Sequence, residues 1–97
     1  MRVAALRVEF LIADARSLKE KRAVVRPIIE GLRRRLSVSV AEVDHQDSWQ
    51  RCVLGVAVVA SDGGRLDALV EAIRRYLDGV IEIEVCDLTV SYLEEEP

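Results

Sequence analysis

Few side chains in this sequence could do chemistry, and they fall in two places. The only histidine, His45, sits in the polar stretch Asp44-His-Gln-Asp-Ser-Trp-Gln50, and eight basic residues crowd between Arg16 and Arg35. Against Glu20 and Glu30 that basic segment carries a net +6, so a chain of formal charge −3 holds −9 elsewhere. Much of the negative charge lies in Asp78 to Pro97, where seven acids meet no base. Lysine and arginine at this density suit phosphate, because contacts to a nucleic-acid backbone need only positive charge at reachable spacing. Lys19, Lys21, Arg22, Arg26 and Arg33 are the candidates for that contact, with His45, Asp47 and Trp49 completing the site. The two rings would stack on an unpaired base.

Other chemistries are poorly supplied. Asp44, His45 and Asp47 could ligate a metal, yet one His with two carboxylates is a thin donor set, so neither a metal nor any other cofactor is expected. No Ser or Cys has a neighbouring base, and no glycine-rich loop follows a strand in a phosphate-cradling arrangement. Glu82 and Glu84 alternate as the wet side of a strand would. Cys52 and Cys86 lie inside apolar runs and read as two reduced, buried thiols. The expectation is a binding module and not an enzyme.

The elements that must position these residues follow from periodicity. Val3 to Ala13 alternates, with Ala4, Leu6, Val8, Phe10 and Ile12 on one face, as a strand does. Ser17 and Glu20 form a capping box that opens a helix. Leu18, Val25, Ile29, Leu32 and Leu36 make its apolar stripe, and Pro27 inside it predicts a bend near residues 23 to 27. Ser37 to Val43 and Arg51 to Ser61 are β-branched runs joined by the His45 stretch, a hairpin with a long loop. Asp62-Gly-Gly64 caps a second helix with Leu66, Leu69, Val70, Ile73 and Leu77 inward, ending at Asp78-Gly79. A last strand starts with Ile81, Ile83 and Val85 inward. Its inward set then moves to Cys86, Leu88, Val90 and Tyr92, and that change of parity requires a β-bulge at Val85-Cys86.

A β-α-β-β-α-β order predicts an α+β, ferredoxin-like sandwich, with an antiparallel four-stranded sheet of order 4-1-3-2 and both helices on one face. The other face is left open. Its apolar members Leu11, Val53, Ala57 and Val59 are a candidate surface for a homodimer. The fold also brings the end of the first strand, the start of the first helix and the hairpin to one edge. There Arg16, Lys19 and Arg22 should meet Asp44, His45, Asp47 and Trp49, either as surface ion pairs with Trp49 folded over the core, or as a recognition edge.

With 97 residues and 51% of them apolar, residues 1–97 are expected to form one domain, with 94–97 a frayed acidic tail. No apolar run approaches the length of a membrane span and no secretory leader is apparent, so the expected location is the cytoplasm, away from membranes.

The segments Ser17-Leu-Lys-Glu-Lys-Arg22 and Val38-Ser-Val-Ala-Glu-Val-Asp-His-Gln-Asp-Ser-Trp-Gln-Arg51 together resemble the bacterial YlxP-like family, domain of unknown function 503, over nearly the whole chain. The resemblance implies a ferredoxin-like fold. It also implies, through the family's frequent placement beside genes for translation initiation and ribosome maturation, a partner such as rRNA or a ribosome-associated protein. It carries no catalytic residues to transfer.

Overall fold

Alternation builds β1 (Arg2–Leu11): Ala4, Leu6, Val8 and Phe10 are buried on one face while Ala5 and Arg7 look out from the other. It pairs antiparallel with both β3 (Arg51–Ala60) and β4 (Glu84–Glu94), and β2 (Ser39–Asp44) pairs antiparallel with the outer side of β3. The sheet order β2-β3-β1-β4 is the expected 4-1-3-2 order seen from the opposite edge. This is a computed structural model, and it describes residues 1–94. Glu94 ends β4 and so is not part of a tail, while the remainder of the expected tail lies outside the described residues.

α1 (Leu18–Leu36) starts where the Ser17 hydroxyl accepts the Glu20 N–H at 3.1 Å, and the Glu20 carboxylate accepts the Arg16 N–H at 3.3 Å. The box thus closes one residue earlier than the usual reciprocal pair. The helix runs uninterrupted across Pro27 and stops at Ser37, whose left-handed backbone lets its N–H reach the Arg33 carbonyl. In α2 (Gly63–Asp78), Asp62 caps by accepting the Arg65 N–H at 2.9 Å, and this bond chiefly holds its carboxyl below the usual range. Leu66, Val70, Ile73 and Leu77 pack inward from α2. The helices approach closely at Gly31, which is buried under Tyr76; a Cβ there would overlap the Tyr76 hydroxyl.

Two bulges shape the sheet. Between β1 and β4 the register steps from Glu9–Asp87 to Phe10–Val85, leaving Cys86 as the extra residue, at the place the parity change required. The bulge turns Cys86 outward, so this thiol is exposed and only Cys52 is buried. Between β2 and β3 the register steps from Glu42–Leu54 to Asp44–Val53, leaving Val43 as the extra residue. Val43 leans over Gly55, where an added Cβ would lie 3.0 Å from its Cγ1. Ile81 departs from expectation as well: it is 94% exposed, because residues 80–83 form a turn and β4 begins only at Glu84.

Candidate functional site

The end of β1, the start of α1 and the β2–β3 hairpin do converge. The Ile12 N–H donates to the Gln50 carbonyl at 2.8 Å, and the Gln50 amide reaches the carbonyls of Ala13 and Ala15, each at 3.2 Å. The hairpin turns through His45, whose backbone is left-handed at φ 58° and whose N–H bonds to Asp44 Oδ1 at 2.8 Å. Its carbonyl then accepts the Ser48 N–H at 3.0 Å and the Lys21 ammonium at 2.7 Å.

Lys21 is therefore not a surface cation. It is 2% exposed and its Nζ lies 2.9 Å from Glu42 Oε2, a carboxylate on β2 that is itself mostly covered. Cys52 sits on the adjoining strand, and burial, reinforced by the Glu42 carboxylate, pushes its thiol up to about 12. The signal was in the spacing: Leu18, Lys21, Val25, Ile28 and Leu32 follow the helical repeat, so position 21 falls on the apolar stripe and its charge demands a buried partner. Arg33 is committed too. Its guanidinium donates to the Val40 carbonyl at 2.7 Å and lies 3.8 Å from Glu30, so it caps the exposed edge of β2.

What remains on α1 is a row of uncommitted cations. Lys19, Arg22 and Arg26 are exposed, and among the described residues none of them forms an ion pair. The expected pairing of Arg16, Lys19 and Arg22 with Asp44 and Asp47 is not present; Asp44 instead faces Arg7 at 4.0 Å across the open sheet. Trp49 does not close over the core but stands 52% exposed beside Asp47 at the hairpin tip. Between α1 and the β2 edge runs a groove of about 330 Å³, lined from α1 by Leu18, Lys21, Val25 and Ile29 with the exposed Arg22 and Arg26, and from the β2 side by Glu42 and Gln46.

Cross-strand rows divide the open face. Val59, Val3 and Leu93 form an apolar row, followed by Ala57, Ala5 and Ser91. Toward the hairpin the rows become charged: Arg51 Nη2 bonds Glu9 Oε2 at 2.7 Å, and Arg7 Nη1 approaches Glu9 Oε1 at 3.6 Å. The hydrogen bond from Arg51 is the main cause of a lowered Glu9 carboxyl. Of the candidate dimer residues, Ala57 and Val59 are exposed, Leu11 is half-buried, and Val53 is wholly covered. Val53 lies in the row between Glu9 and Asp44, so the charged network is its cover.

Among the described residues no three His, Cys, Asp or Glu side chains gather as metal ligands, and no helix is long and apolar enough to cross a membrane.

A solved structure titled "De novo designed protein Foldit4" superposes with a TM-score of 0.56 over 99% of this chain and 100% of its own, at 16% identity, a likeness of fold alone. An uncharacterised protein, YlxP of Bacillus subtilis (strain 168), is 38% identical over 76 residues, which span 78% of this chain and 83% of that relative. The family model described as "Protein of unknown function (DUF503)" matches residues 3–90. On that match and that identity, the chain belongs to the DUF503 family, as a YlxP-like member.

Proposed function

We propose that this protein is a non-catalytic binding module that holds RNA, as rRNA or in a ribosome-associated particle, against the exposed cationic side of α1. One observation carries the reading: Lys19, Arg22 and Arg26 are exposed and have no ion-pair partner among the described residues, in a chain whose formal charge is −3. Lys21, Arg33 and Arg51, by contrast, have carboxylate partners. A row of free guanidinium and ammonium groups suits phosphate without further chemistry. The two buried groups that could act as nucleophiles are disarmed, since the Lys21 ammonium is held by Glu42 and the His45 carbonyl and the Cys52 thiol is buried and hard to ionise. The neighbourhood of translation genes implied by the family resemblance agrees with RNA as the partner.

Binding of an rRNA fragment measured against salt concentration tests this. Three phosphate contacts give a log–log slope of about −2 to −3. Reversing Lys19, Arg22 and Arg26 to Glu should abolish the salt-dependent part, and an unchanged affinity would exclude this surface.

Self-association through the open sheet face is a second reading, favoured by the row in which Val59 and Leu93 are 63% and 65% exposed on either side of Val3. Light scattering on the wild type and on Val59→Glu decides it.

A further inference from the structure

We infer that the groove between α1 and the β2 edge is a subsite for one unpaired nucleotide, so that the RNA held by α1 is single-stranded; this rests on the proposed RNA reading. At about 330 Å³ the groove is near the lower end of small-molecule sites, large enough for one nucleotide and not for a longer stretch. Its chemistry is divided as a nucleotide is. Leu18, Val25 and Ile29 offer an apolar wall to a base, Arg22 and Arg26 stand at the rim where a phosphate would lie, and the Gln46 amide can donate to and accept from a base edge.

The buried ion pair matters for charge complementarity. Glu42 lines the same groove and would repel phosphate if free, but the Lys21 ammonium 2.9 Å away neutralises it. The groove is left with the positive charge of Arg22 and Arg26. A duplex would use only those two arginines, because its bases are stacked away and cannot reach the apolar wall. Arg22 and Arg26 are one turn apart on the same helix face, so a strand lying along α1 meets both in sequence.

The test compares a short oligouridylate with an RNA duplex of equal phosphate count at one salt concentration, using the full chain and the variants Leu18→Ser and Gln46→Ala. The expected result is single-strand binding about tenfold tighter than duplex binding, the order expected for one base face taken out of water against an aliphatic wall. Both variants should lose most of that preference while keeping duplex affinity. Gln46 is exposed, so Gln46→Ala retains the fold even where Leu18→Ser does not. Equal affinity for strand and duplex, lost on reversing Arg22 and Arg26, would overturn the nucleotide subsite and leave the cationic surface standing. An oligoglutamate peptide that binds as tightly as the oligouridylate would make the groove a dock for an acidic segment and overturn the inference. No binding of either RNA would overturn both readings.

Discussion

Lys21 Nζ and Glu42 Oε2 lie 2.9 Å apart, joining α1 to β2 through a side chain that is almost wholly buried. The same ammonium reaches the His45 carbonyl at 2.7 Å, so one residue fastens the helix to the strand and to the hairpin that follows it. Lys21 thus positions the hairpin and the groove, while its neighbours Lys19 and Arg22 are left exposed on the outer side of the helix.

Removing this amine leaves a largely covered carboxylate unpaired. Lys21→Met should lower the unfolding free energy by about 2–4 kcal/mol, below the full penalty of a deeply buried pair because Glu42 keeps some solvent contact. The double variant with Glu42→Leu should recover most of that loss. Denaturant titration of the four corners of the cycle measures it, and additive losses would show that the two groups do not interact.

Gly31 packs under Tyr76, with the next ring atom 2.8 Å from where a Cβ would stand. Gly31→Ala should destabilise by about 1–3 kcal/mol through overpacking, despite alanine's better helix propensity. Tyr76→Phe removes the nearest clash and should restore part of the loss. The Arg35 guanidinium, 5.6 Å from the Tyr76 ring centre, keeps its ring contact in that variant. Thermal unfolding of the two single variants and the double variant provides the measurement.

The two thiols should behave oppositely. Native protein treated with a thiol reagent should label Cys86 quickly and Cys52 only on unfolding, because Cys86 is turned out by its bulge and Cys52 is 0% exposed. Folding raises the Cys52 thiol to about 12, so the unfolded chain ionises first as pH rises. Its contribution is present below the ordinary thiol range and is lost between about pH 9 and 12. Cys52→Val should flatten that alkaline limb.

Acid acts through the opposite sign. The Glu9 carboxyl is lowered, chiefly by the hydrogen bond from Arg51, so the unfolded chain binds this proton first as pH falls. Its contribution is present above the usual carboxylate range and disappears below it. Unfolding curves collected from neutral to acid pH should show a shallower acid limb in Glu9→Gln.

Most of the fold was legible because alternation, a capping serine and an aspartate at helix starts, and β-branched runs all pointed to one topology. Even the Cys86 bulge could be placed, since a strand cannot switch its inward parity without an extra residue. The second bulge left no such trace: the apolar run around Val43 and Gly55 reads the same in either register, and only the paired strand shows Val43 leaning across. Ile81 misled because an isoleucine in an alternating run looks inward, although the backbone there is turning. At the site, the exposure of Lys19, Arg22 and Arg26 and the burial of Lys21 followed from helical spacing, and the groups that hold Lys21 and Arg33 in place did not. Their partners, the His45 and Val40 carbonyls, are backbone atoms that a sequence pattern does not mark.

Co-sedimentation with ribosomal subunits at low and moderate salt tests the central claim most directly, comparing wild type with the variant reversed at Lys19, Arg22 and Arg26 and with the charge-conserving double variant Lys21→Met/Glu42→Leu as the structural control. The expected result is salt-sensitive binding that the charge-reversed variant loses and that the Lys21→Met/Glu42→Leu variant retains. Binding by the charge-reversed variant equal to that of wild type, or no binding by wild type at either salt, would contradict it.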